Sequence, residues 1–334
     1  MTTNHIYISN ADSGDIRVLS VHADAQLHVA QTLILGGQLM PMAMSPDAAT
    51  LYVARRSEPF AVLRLSISPS NGQLDYLDEA ALPASMAYIS TDHSGRYLFA
   101  ASYQGDCLTV SPVALDGAVG GVQQVIPTQP HAHAIVPSPS NRHVLATSLG
   151  GDQVLQFHFD ETSGSLTPND IPFWSSRPGA GPRHLRFHPN GQWVYVLNEL
   201  DASLDVLAFD DPSGQLQAIQ NIDTLPPGLD GAPWAADVQV SHDGQWLFTC
   251  ERTSSTVATF RVNAENGQLT AMGHTSTEDQ PRSFAISADN NYLLVAGQRS
   301  NHLSNYRISQ DTGQLDLIQR LAIGDNPNWI AIKP

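Results

Sequence analysis

Fifteen of the sixteen basic residues in this 334-residue chain are arginine, and Lys333 is the one lysine. A guanidinium presents a rigid fork of donors that matches a carboxylate or a phosphate. Arginines gathered at one place would therefore bind an anion, even in a chain whose formal net charge is −16. The candidates are Arg183, Arg252, Arg282 and Arg299, with the Arg55–Arg56 pair. Among them in the same stretches stand His131, His133, His184, Glu199, Asp237, Glu251, Gln298, Asn326 and Asn328. Histidine and glutamate are common general bases. A cation beside a carbonyl oxygen stabilises the charge that develops there. These residues are scattered from Arg55 to Asn328, so some regular scaffold has to gather them.

The scaffold is a repeat. An apolar strand, a polar turn and a second apolar strand recur as MAMSPDAATLYVA, YISTDHSGRYLFA, IVPSPSNRHVLAT, LRFHPNGQWVYVL, VQVSHDGQWLFTC and FAISADNNYLLVA. The turns open at Ser45, Asp92, Ser138, His188, Ser241 and Ser287, which are 46 to 53 residues apart. A second turn signal runs in phase: DAQL at Asp24, NGQL at Asn71, DGAV at Asp116, SGSL at Ser163, SGQL at Ser213, NGQL at Asn266 and TGQL at Thr312. Gly after Asn, Asp or Ser suits a tight hairpin. Each repeat thus holds four short strands, a to d, and repeats of this period read as propeller blades. The seventh copy is split between WIAIKP at the C-terminus and IYIS at Ile6–Ser9. The expected fold is all-β, a single seven-bladed β-propeller domain over residues 1–334, closed by pairing Trp329–Ile332 beside His5–Ser9. Closure removes the open sheet edges.

In an antiparallel meander the a–b and c–d turns share one face of the disc, and the d–a and b–c loops share the other. Turn geometry explains the first face, so His188 and His242 there are expected to be structural. The second face differs from blade to blade and carries every candidate above. Variable loops on a rigid frame usually carry function. His133, Arg183, Glu199 and Arg282 are expected to converge there from four different blades. Arg252 has a competing reading as an ion-pair partner of Glu251, and Arg299 as part of a similar surface pair.

The acidic balance argues against nucleic acid and anionic membranes, which need a basic footprint. Cys107 and Cys250 have no metal-type spacing and read as buried free thiols. MTTNHIYISN lacks the basic and apolar regions of a secretory signal, and no apolar stretch reaches the roughly 18 residues of a membrane helix. The expectation is a cytoplasmic protein with no cofactor and no metal.

The runs GAGPRHLRFHPNGQWVYVLNEL, WAADVQVSHDGQWLFTCERT, EDQPRSFAIS, AGQRSNHLSNY and GDNPNWIAI resemble the bacterial propeller-type 6-phosphogluconolactonases, and the likeness runs through essentially the whole chain. It implies hydrolysis of a phosphorylated sugar lactone in the oxidative pentose phosphate pathway. The wider family includes a lactonizing cycloisomerase whose proposed His, two Arg and Glu map onto His133, Arg183, Arg282 and Glu199. PHAHAIVP also offers His131, but His133 keeps the family's distance to the following turn. The resulting expectations are Glu199 or His133 as base and Arg183 as oxyanion stabiliser. Arg252 and Arg282 would hold phosphate, with His184, Asp237 and Gln298 as further substrate contacts. Another lactone-processing activity on the same fold, or a non-catalytic scaffold with exposed aromatics on one rim, is the alternative.

Overall fold

The chain is described here by a computed structural model covering residues 5–22 and 25–333. Met1–Asn4, Pro334 and Asp24 of the first DAQL turn lie outside the described residues. The rest forms strands β1 (His5–Asn10) to β28 (Pro327–Ile332) and no helix. They make seven four-stranded antiparallel sheets, the blades of a propeller. Closure follows the expected register: Ile6, Tyr7, Ile8 and Ser9 pair with Ile332, Ala331, Ile330 and Trp329. The Lys333 amide adds a bond to His5 O at 2.8 Å.

Local chemistry explains why the repeats recur. The Ser45 hydroxyl accepts from the Thr50 amide at 2.9 Å and donates to Asp47 at 2.6 Å. Ser241 and Ser287 close their turns the same way, onto Trp246 and Tyr292. His188 holds the equivalent post: its Nδ1 accepts from the Asn190 amide, and its Nε2 donates to Gly244 O at 3.1 Å. In the second turn, Gly72 has φ +66°, and a Cβ there would meet the His5 ring at 2.1 Å, so only glycine fits.

The same turns stitch blade to blade. Tyr7, Tyr52 and Tyr195 donate to Gly72 O, Gly117 O and Gly267 O, each on the following blade. Glutamines on the outer strands clasp the next blade's backbone, as Gln31 does with both polar groups of Leu74. Gln319 does so with Leu27 across the closure. Between successive blades lie the apolar clusters, such as Tyr52 and Val62 against Ile89, Leu98 and Ala100.

The innermost strands are β4 (Leu39–Met44), β8 (Tyr88–Thr91), β12 (Ala132–Pro137), β16 (Pro182–Phe187), β20 (Ala235–Val240), β24 (Pro281–Ile286) and β28. All but β8 carry a register shift near their start. An extra residue in one strand drops out of the ladder, and its side chain is re-aimed. The residues passed over are Met40 and Pro41, His133 and Ala134, Arg183, Ala236 and Asp237, Arg282, and Asn328. All five polar residues among them, His133, Arg183, Asp237, Arg282 and Asn328, are sequence candidates.

Candidate active site

At the centre stands Glu199, just past β17 (Trp193–Asn198). Its Oε2 lies 2.8 Å from Arg183 Nε and 2.9 Å from Arg252 Nη2. Its Oε1 accepts from Trp234 Nε1 at 3.2 Å. Arg183 is 1% exposed, and its Nη1 donates to Ala236 O on the next blade. Arg252 donates to Trp234 O at 3.0 Å and Ala235 O at 2.9 Å, and its guanidinium lies 3.9 Å from the Trp234 ring centre. Burial pushes the Glu199 carboxyl up, but Arg183, Arg252 and Arg282 outweigh it, and the net effect is downward. A carboxylate with both oxygens engaged and a lowered pKa is a clamp on arginines and a weak base.

Beside this centre the bulge of β12 turns His133 into the channel. The bulge costs Ala134 its ladder bond. Its amide donates instead to Thr147 Oγ1 at 2.9 Å, and that hydroxyl donates to Arg183 O at 2.7 Å. One threonine thus ties the backbones that carry His133 and Arg183. The His133 ring lies 5.0 Å from the His184 ring, centre to centre, and 5.9 Å from Tyr103. Burial first, then Arg183, holds both His133 and His184 well below the usual histidine range, so both are neutral.

A cleft of about 90 Å³ opens next to the arginines, lined by Arg56, Arg282, Gln298, Asn326, Asn328 and Gln38 among others. Arg282 makes no hydrogen bond or ion pair with any described residue. Burial and the charges of Arg183, Arg252 and Arg56 push its pKa well down. Arg56 uses only Nε, on Ser85 Oγ at 2.9 Å. Gln298 donates to Asn326 Oδ1 at 2.8 Å, which fixes the amide rim.

The structure brings His133, Arg183, Glu199 and Arg282 to one face, but from three blades, because Arg183 and Glu199 share one. The ion pair expected between Arg252 and Glu251 is not formed. Glu251 instead accepts from the Trp234 and Ser254 amides and holds that loop. Arg252, expected to hold phosphate, is engaged with Glu199 and two carbonyls, whereas Arg56 has its two terminal nitrogens unengaged. His184 and Asp237, expected as substrate contacts, are 1% and 2% exposed and bond each other at 2.7 Å. His131 stacks on Tyr103 at 4.2 Å nearer the rim, and Arg299 is exposed. Arg55 is held by Glu79 in a two-pronged pair. Trp234 and Tyr103 went unnoticed in the sequence. Their only signal was an aromatic inside a loop, among the runs WAAD and SYQGD. Among the described residues no three His, Cys, Asp or Glu side chains could hold a metal.

Comparison with known proteins agrees with this architecture. The family model "Lactonase, 7-bladed beta-propeller" matches residues 5–332. A 6-phosphogluconolactonase of Klebsiella pneumoniae subsp. pneumoniae is 39% identical over 279 residues, 84% of this chain and 83% of that protein. One from Pectobacterium carotovorum subsp. carotovorum is 38% identical over 281 residues, 84% of each. Among solved structures, a periplasmic gluconolactonase of Pseudomonas aeruginosa superposes with a TM-score of 0.93 at 26% identity, over 100% of this chain and 99% of that one. The chain belongs to the lactonase family of seven-bladed β-propellers.

Proposed function

We propose that this enzyme hydrolyses 6-phospho-D-glucono-1,5-lactone to 6-phospho-D-gluconate, the lactonase step of the oxidative pentose phosphate pathway. The observation that carries the reading is a charge count. Arg56, Arg183, Arg252 and Arg282 repel one another around one carboxylate, Glu199, which leaves an excess of three positive charges. A phosphomonoester brings about −1.5 to −2, and the oxyanion of the transition state adds one more. An unphosphorylated lactone would leave Arg282, half-buried beside three other arginines, without a compensating anion, which is costly. The names of the curated relatives point to the same substrate.

Arg56 and Arg282 hold the phosphate with their unused donors, and Gln298 and Asn328 line the same cleft. Arg183, buried on Glu199 and Ala236 O, acts on the lactone carbonyl through its charge and not by direct contact. His133, neutral and free of a protein partner, takes the proton from the attacking water. Glu199 keeps Arg183 and Arg252 apart and oriented. No residue set for a metal or an organic cofactor enters this scheme. The cytoplasm is the place for it, since a phosphorylated sugar is hydrolysed in the compartment that makes it. The periplasmic structural relative carries a name without the phosphate.

The test is hydrolysis of phosphorylated and unphosphorylated gluconolactone side by side, with spontaneous hydrolysis subtracted and with chelator as a control. The phosphorylated substrate should win by at least ~100-fold in kcat/KM. Arg282→Ala should raise KM for it about 10- to 100-fold, the worth of one or two charge-assisted bonds, and leave the neutral lactone nearly unchanged. Equal kcat/KM for both lactones in the wild type would overturn the reading.

A further inference from the structure

Two buried ring nitrogens in the channel have no partner: Nδ1 of His133 and Nε2 of His184. They belong to rings whose centres are 5.0 Å apart at an interplanar angle of 64°. An N–H···N bond of about 2.9 Å, with each nitrogen roughly 1.1 Å from its ring centre, needs a separation of about 5 Å. A small rotation of either ring therefore closes the bond, as happens when loose hydrogen bonds of an empty site tighten around substrate.

The other side of His184 is already fixed. Its Nδ1 donates to Asp237 Oδ1 at 2.7 Å. That carboxylate is held in turn by the Val238 amide at 2.9 Å and by Gln239 Nε2 at 3.2 Å. With its proton on Nδ1, a neutral His184 has an acceptor at Nε2. A neutral His133 facing that acceptor must donate through Nδ1, which leaves the lone pair on Nε2. Around the pair stand Tyr88 and Trp329 against His184, and Tyr103 against His133. Arg186 lies 3.7 Å from Asp237 and bonds Tyr88, and Arg183, Arg252 and Arg282 act across the channel. A mere plug for the channel would need only apolar bulk and would leave no orphaned nitrogens.

We propose that Asp237 and His184 are positioning residues, a buried relay that holds His133 in its Nδ1–H form with Nε2 as the base toward the lactone. The inference rests on the reading of His133 as the base. In the first step a water O–H bond breaks and its proton goes to His133 Nε2, while the water oxygen bonds to C1 and the C1=O π pair moves onto the carbonyl oxygen as an oxyanion, to return and re-form the carbonyl when the ring bond breaks. In the second, the bond from C1 to the ring oxygen breaks, and that oxygen takes the proton back from Nε2. The acid product then ionises into solvent. Asp237 and His184 exchange no proton and stabilise the imidazolium between the two steps.

Asp237→Asn presents a donor to His184 Nδ1 and so favours the wrong tautomer. It should lower kcat about 100-fold, keep KM within about threefold, and move the acid limb of kcat/KM to lower pH, since a negative charge is lost. His184→Phe should lower kcat similarly, and His184→Gln, which keeps an acceptor for His133, should recover part of it. The second readout does not depend on the activity of any variant. Histidine ¹⁵N spectra of the wild type, assigned with His133→Asn and His184→Phe, should show His133 protonated on Nδ1 and His184 with an unprotonated, hydrogen-bonded Nε2. An Nε2–H tautomer at His133 in the wild type would overturn the relay. So would Asp237→Asn and His184→Phe enzymes within threefold of wild-type kcat whose acid limb stays in place, even if they melt lower. Full activity in His133→Asn would sink the base reading instead, and the spectra would still judge the relay.

Discussion

The two ends of the central channel are built from the same seven inner strands and differ in almost everything else. At the end where those strands begin, the pairing is bulged, and Arg183, Arg252 and Arg282 act on Glu199 with Arg56 beside them. At the end where they finish, the pairing is regular and the turns are closed by local side-chain bonds, in a Ser–x–Asp pattern at Ser45, Ser241 and Ser287. A wider funnel of about 650 Å³ opens there, lined largely by Met42, Met44, Ile286, Ile330 and Ile332 with a few polar groups. Between the ends lies a layer of Tyr88, His184, Asp237, Arg186 and Trp329. The lesson concerns where strain and charge are kept. One end carries the low-energy turns that every blade needs. The other carries the bulges and the uncompensated charge, in keeping with the usual division between frame and site.

Removing β28 tests both ends together, because it supplies Asn328 to one and Trp329–Ile332 to the other. Truncation after Asn326 should leave β1 unpaired, and the chain should aggregate or lose its cooperative melt. A truncated protein that melts like wild type would break the comparison at its base. The next effect belongs to the charged end alone. His133→Asn should lower kcat by about 10²–10⁴-fold, the usual worth of a general base. Glu199→Gln should cost only about tenfold, the scale of one weakened charge-assisted contact. If the two losses were reversed in size, Glu199 would be the base and His133 its neighbour.

Acid should weaken the charged end next. His133 and His184 have folded pKa values depressed by burial, and His5 and His143 lean the same way. Such a group contributes stability in full above its unfolded pKa of 6.5 and loses it as pH falls toward the folded value, because only the unfolded chain takes up the proton. Each can contribute a slope of up to about 1.4 kcal/mol per pH unit. Asp237, raised by burial from 3.8, works in the opposite sense at lower pH. The melting temperature should therefore drop between pH 6.5 and 5.5, and replacing His133 and His184 together should flatten that drop. A melting temperature constant over this window would show the pair to be solvated. The smallest effect belongs to the repetitive end. Ser287→Ala removes a turn bond worth about 1 kcal/mol, so melting should fall by roughly 1–2 °C with kcat/KM unchanged. A loss of activity there would mean that the two ends are coupled.

Much of this molecule was legible in the residues themselves. Turn chemistry is local, so Ser45, Ser241, Ser287 and the NGQL glycines announced the hairpins. Their recurrence gave the blade number, and the split copy gave the closure of β28 on β1. Strand alternation also told which loops share a face, and so which residues could meet. What it could not give is the aim of each side chain. A bulge adds one residue to one strand, and no residue type at Arg183, His133 or Arg282 marks it. Partners were hidden for a related reason. In a closed ring, neighbours in space lie one repeat along the chain, as Arg183 to Ala236 and His184 to Asp237 do, 53 residues apart. The adjacent Glu251 looked like the partner of Arg252, yet only the packing of two blades put Glu199 there. The ring, its closure and the face on which the candidate residues gather could be read from the residues alone, because these follow from backbone periodicity and turn geometry. The tertiary structure alone decided that Arg252 is spent on Glu199 while Arg56 and Arg282 are left with free donors, because that depends on bulge register and on contacts between blades.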